Sequence, residues 1–70
     1  MLSELELLMY NSQKHIVEVN VDDGEVVEGE CIEFTNSLDN EPEVSSITIK
    51  TQKGLIEIYE NEITSIKHKD

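Results

Sequence analysis

Residues 17–34 read VEVNVDDGEVVEGECIEF, and the order of apolar and small residues in this stretch decides the fold. Val17, Val19 and Val21 alternate with Glu18 and Asn20, the period of a strand with one buried face. Asp22-Asp23-Gly24-Glu25 follows as a turn, with Gly24 placed to take a positive φ. The second strand carries Val27 and Cys31 on one parity and Ile32 and Phe34 on the other. Gly29, in mid-strand, marks a sharp bend or bulge. A strand bent in this way can serve both sides of a small barrel.

Working outward from this pair, Ser3 and Glu6 match a capping box, and Leu5, Leu8 and Met9 share a helical face that Leu2 and Leu7 widen. Glu4 and Glu6 lie at the positive end of the helix dipole and Lys14 near its negative end. This apolar stripe is expected to cover an open end of the barrel. Asn36–Glu43 reads as a polar loop, with turn formers and Pro42. Ile47 and Ile49 point inward from a third strand, and Gln52-Lys53-Gly54 turns into a fourth. That strand, with Leu55, Ile56, Ile58 and Tyr59, is apolar on both faces, as in a strand covered twice or an edge that meets a neighbour. A corner at Glu60-Asn61-Glu62 leads to the last strand. The expected fold is mainly β, a short N-terminal helix followed by a five-stranded, strongly bent SH3-like barrel in one domain. The helix spans about 3–13, and the strands about 15–22, 25–35, 44–51, 54–60 and 63–67.

Seventy residues bury a small core, so a partner is the expected supplement to stability. One cysteine cannot form an internal disulfide, and its free thiol fits a reducing compartment. Sixteen Asp and Glu oppose five Lys, with no Arg, for a net charge of -11. This balance repels nucleic-acid phosphates and anionic membranes. Arg is also the preferred bidentate ligand of phosphate and guanine. No apolar run approaches a membrane span, and Glu4 and Glu6 stand where a signal peptide has basic residues. The expected location is cytoplasmic.

The order of elements resembles the Sm-like (LSm) family, and specific residues carry the resemblance. That family's first motif places Asp-Gly at the end of strand one, Gly five residues later, then an apolar and an aromatic residue; here these are Asp23-Gly24, Gly29, Cys31 and Phe34. Its second motif, roughly Ile-Arg-Gly with two further spaced Ile, is matched by Ile58, Ile63 and Ile66. The resemblance covers about residues 3–67. It implies a ring built by pairing the fourth strand of one subunit with the fifth of the next, with Leu55, Ile56, Ile58, Ile63 and Ile66 as interface residues. It also implies RNA contact at Asn36, Asp39, Asn40 and Tyr59. Thr35 stands where the family has Asp, and Tyr59-Glu60 where it has Arg-Gly. Tyr59 can stack on a base, but Glu60 would meet a phosphate with like charge, so at most weak nucleic-acid binding is implied.

The residues supply no catalytic set. Cys31 lies in an apolar strand and reads as core. His15 and His68 sit at element ends and read as solvated, and Asp39-Asn40-Glu41-Pro42-Glu43 reads as a solvated turn rather than a calcium loop. No cofactor or metal is expected, and the protein reads as non-enzymatic. The leading function is a self-associating Sm-like assembly module. One alternative is an acidic nucleic-acid mimic that presents Glu18, Glu28, Glu30, Glu33 and Glu57 to a basic partner protein. Another is a monomeric SH3-like peptide-binding barrel, for which Tyr10, Phe34 and Tyr59 are the only aromatics.

Overall fold

The computed structural model describes residues 3–40 and 43–70; Leu2 of the apolar stripe and Glu41 and Pro42 of the loop lie outside them. Helix α1 (Glu4–Asn11) is followed by strands β1 (Ile16–Val21), β2 (Val26–Thr35), β3 (Ser46–Thr51), β4 (Gly54–Tyr59) and β5 (Ile63–His68). Single 3-10 turns, Ser37–Asp39 and Glu60–Glu62, link β2 to β3 and β4 to β5. All strand pairs are antiparallel, in the order β4-β3-β2-β1-β5. The helix and five strands read from the sequence are therefore present, in a sheet that is open rather than closed. β4 and β5 are its two edges. At the corner between them, Glu60 N–H donates to Ser45 O and Asp22 N–H donates to Glu62 O, which ties the corner to the residues just before β3 and just after β1.

The capping box forms as read. Ser3 Oγ accepts from Glu6 N–H at 3.1 Å, and Ser3 N–H donates to Glu6 Oε1 at 3.3 Å. The helix stops at Asn11, two residues before the expected end. Ser12 turns its hydroxyl back onto Leu8 O at 2.7 Å, and Lys14 takes a left-handed φ of 71°. That reversal aims the chain along β2: Lys14 N–H reaches Cys31 O, and Cys31 N–H returns to His15 O. From α1, Met9 is buried and Leu5 packs against the core, whereas Leu7 and Leu8 stay about half exposed. Only part of the expected stripe is thus a lid. Tyr10 meets Phe34 edge-on, with ring centroids 5.7 Å apart.

The core consists of Met9, Val17, Val19, Cys31, Ile47, Ile49, Ile58 and Ile63. Its two-residue period holds in β1, β3 and the start of β2. The parity switch in β2 sits at Ile32, not at Gly29. Cys31 pairs with Ile49 and Glu33 with Thr48, so Ile32 is an extra, outward residue of a bulge. Gly29 has a different task. It pairs with Val17 of β1, just before β2 takes up β3 at Glu30 and Lys50. A Cβ at Gly29 would collide with the Lys50 carbonyl and stand 2.9 Å from Ile49 Cγ2. The strands approach so closely there that only glycine fits.

Gly29→Val is therefore expected to cost well over the ~1 kcal/mol of a simple glycine propensity effect, read as a lower urea midpoint. An unchanged midpoint would show that β2 and β3 do not approach this closely.

Candidate functional site

The residues assigned to RNA by resemblance fall on and around the outer face of β2, β3 and β4. Glu33, Thr48 and Glu57 lie side by side there, as do Thr35, Ser46 and Tyr59. Asn36 is occupied: its Oδ1 accepts from Leu38 N–H at 3.0 Å and caps the 3-10 turn. Asp39, on the same turn, is exposed. Asn40 and Tyr59 are brought together through a chain of hydrogen bonds. Asn40 Nδ2 donates to Val44 O at 2.7 Å and to Ser46 Oγ at 2.8 Å. Buried Ser46 donates to Glu57 Oε2 at 2.8 Å, and Tyr59 OH donates to Glu57 Oε1 at 3.3 Å. The Asn40 amide and the Ser46 hydroxyl thus tie the loop to the edge strand, and the Tyr59 hydroxyl proton is committed to Glu57 within that strand.

The charge of this face opposes a nucleic acid. Glu57 raises the Tyr59 phenol above its ordinary range by direct repulsion, and Glu62 adds to it. Glu60 and Glu62 complete the corner next to Tyr59. A phosphate approaching the ring would meet these carboxylates without a neighbouring Arg.

The five interface residues divide. Leu55 is 65% and Ile56 39% exposed on the β4 edge. Ile58 and Ile63 are corrected to core residues, at 4% and 8%, because Ile58 pairs with Ile47 on the inner face and Ile63 closes the pairing of β5 with Val21. Ile66 is partly buried against the same core. Ile56 also lines an open groove with Val26 and Val27. On the back of the sheet, Glu18 and Glu28 both hold Lys69, each at 3.4 Å, which raises its pKa. Two of the five carboxylates of the mimic reading are thereby countered. Phe34, one of the aromatics of the peptide-groove reading, is engaged in holding Tyr10 of the helix.

Cys31 is fully buried, and desolvation pushes its thiol pKa up, so it stays protonated and inert. The two histidines are exposed at element ends, as read from the sequence, but the fold brings them together. Separated by 52 intervening residues, they stack with ring centroids 4.5 Å apart and planes inclined by 12°. His15 Nδ1 lies 3.3 Å from Asp70, and His68 Nε2 lies 3.1 Å from the Ser12 hydroxyl. No sequence signal marked this cluster, because the pairing of β1 with β5 creates it. Comparison with family models, curated proteins and solved structures finds no match. Among the described residues, no helix is long and apolar enough to cross a membrane.

Ser46→Ala is expected to cost about 1–2 kcal/mol in urea unfolding, because it leaves Asn40 and Glu57 without their shared partner. A neutral result would mean that water replaces the hydroxyl.

Acid unfolding tests the helix anchor. Ser45 Oγ donates to Glu6 Oε2 at 2.6 Å, and this bond, ahead of the capping amide of Ser3, holds the Glu6 carboxyl below its usual pKa. Its contribution is complete above the unfolded value of about 4.3 and fades as pH falls through the lower folded one. Glu6→Gln retains a capping side chain. The melting-temperature difference between wild type and variant is expected to shrink on acidification below about pH 4. A difference that does not change with pH would exclude this ionic role.

Proposed function

We infer that this chain is a non-enzymatic, self-assembling Sm-like module, with β4 of one copy lying antiparallel to β5 of the next. The observation that carries the reading is the open sheet: its order leaves β4 and β5 as the two edges. Edge strands expose backbone donors and acceptors that template further pairing unless they are shielded. Here the β4 edge adds exposed Leu55 and Ile56, and Ile56 faces Val26 and Val27 across an open groove that is otherwise lined by polar side chains. Charge supports the same polarity of docking. The β4 side carries Glu57 and Glu60, whereas β5 carries exposed Lys67. Opposite charges on the two edges favour a head-to-tail contact, which closes into a ring when the rotation per subunit allows. Nucleic acid is a weak ligand at most in this reading, and the partner is a second copy of the chain.

Light scattering at two salt concentrations tests the proposal. A native mass several times that of one chain is expected, falling to one chain in Leu55→Glu and in Lys67→Glu with the far-UV spectrum retained. A monomeric wild type at both salts would remove the assembly reading.

A further inference from the structure

We propose that His15, His68 and Asp70 form a binding site for one borderline divalent metal ion of the zinc type, which ties the start of β1 to the end of β5. One potential ligand atom from each of these residues lies within 4.8 Å of the other two. The His15 Nδ1 to Asp70 carboxylate distance is 3.3 Å. Two ligands of a tetrahedral zinc ion, each at about 2.0–2.1 Å, stand about 3.3 Å apart. This edge of the site therefore already has the span that an ion between the two groups requires. His15 and Asp70 are exposed, so rotation about their side-chain bonds is open to close the gap to His68.

The backbone organises the cluster. His68 is paired with Val17, Lys69 N–H donates to Ile16 O, and Ile16 N–H donates to Asp70 Oδ2 at 3.2 Å. The carboxylate is thereby held beside the strand that carries His15, and that amide bond is the main cause of its lowered pKa. Ser12 adds an outer partner. Its hydroxyl proton is committed to Leu8 O, so its oxygen accepts from Nε2–H of His68 and leaves the Nδ1 lone pair free. Metal-bound imidazoles use their second nitrogen in this way.

The ligand set selects the ion. Imidazole nitrogens with one carboxylate suit zinc, nickel or copper, whereas magnesium and calcium take oxygen ligands. The nearby ammonium of Lys69 is countered by Glu18 and Glu28. The net charge of -11 concentrates cations near the surface. Such an ion would be a staple that a 70-residue fold can use, fastening edge strand β5 to the α1–β1 junction.

The test is titration of the untagged full chain with ZnCl2 by calorimetry, with melting curves in parallel. One ion per chain is expected, with a rise in melting temperature of at least ~4 °C at saturation and no rise with MgCl2. His15→Ala and His68→Ala should each weaken binding at least tenfold, and Asp70→Asn should weaken it measurably, with native-like spectra in zinc-free buffer. Absence of saturable binding would overturn the site. So would unchanged binding in the His15→Ala/His68→Ala double variant, or half an ion per chain, which would mean that two chains share the metal.

Discussion

The passage of β2 from one partner to the next is the constraint on which the rest of the structure depends. Its first half pairs with β1 and its second with β3, and the handover falls at Gly29 and Glu30. Two neighbouring strands can meet a third this closely only if the backbone between them carries no side chain, and the blocked space at Gly29 expresses that requirement. The bulge at Ile32 then resets the parity. Without it Phe34 would point outward, away from Tyr10 and the helix. With it, Cys31 and Phe34 both serve the core side, although the two residues between them in sequence would place them on opposite faces of a regular strand. Glycine permits the bend, and the bulge makes the bent strand useful.

Polar contacts then fix where the helix sits on this frame. A capping box is usually a local device, but here its members reach across the fold. Ser3 donates to Glu60 at 3.0 Å and Ser45 donates to Glu6, so the start of the helix is bound to the entry of β3 and to the corner after β4. For a chain with so few cations, hydroxyl donors are an effective way to hold carboxylates. Ser45 serves Glu6 and Ser46 serves Glu57, and Lys69 is the one ammonium among the described residues with ion pairs, to Glu18 and Glu28. Neutral donors satisfy a carboxylate without a second long side chain to immobilise.

Much of this was legible in the sequence, and the boundary is physical. Alternation in residues 17–21, the Asp-Gly turn, the capping box and the buried Cys31 all follow from periods and local hydrogen bonds that a short window contains. The division between Leu55 and Ile56 on one side and Ile58 and Ile63 on the other was not legible. All four are aliphatic, and only the position of each along an edge strand decides whether a neighbour covers it. The site of the bulge was missed because a glycine is a conspicuous mark of irregularity, whereas Ile32 is an ordinary strand residue. The His15, His68 and Asp70 cluster was invisible for a stronger reason. It joins the start of β1 to the end of β5, and no local pattern records which strands pair.

An open sheet raises a further question of balance. Its two edges differ in how they are defended. β5 carries Lys67 and the exposed polar residues Thr64 and Ser65, while β4 presents Leu55 and Ile56 to solvent. A lysine on an edge strand is a recognised guard against indiscriminate pairing. An apolar stretch of edge whose one charged side chain is Glu57 is a hazard unless something of suitable chemistry covers it. In the proposed assembly the two edges complement each other: the lysine that repels a second β5 edge is attracted by Glu57 of β4 and by Glu60 just after it. In the proposed assembly, the charges that discourage like edges from meeting also select the unlike pair.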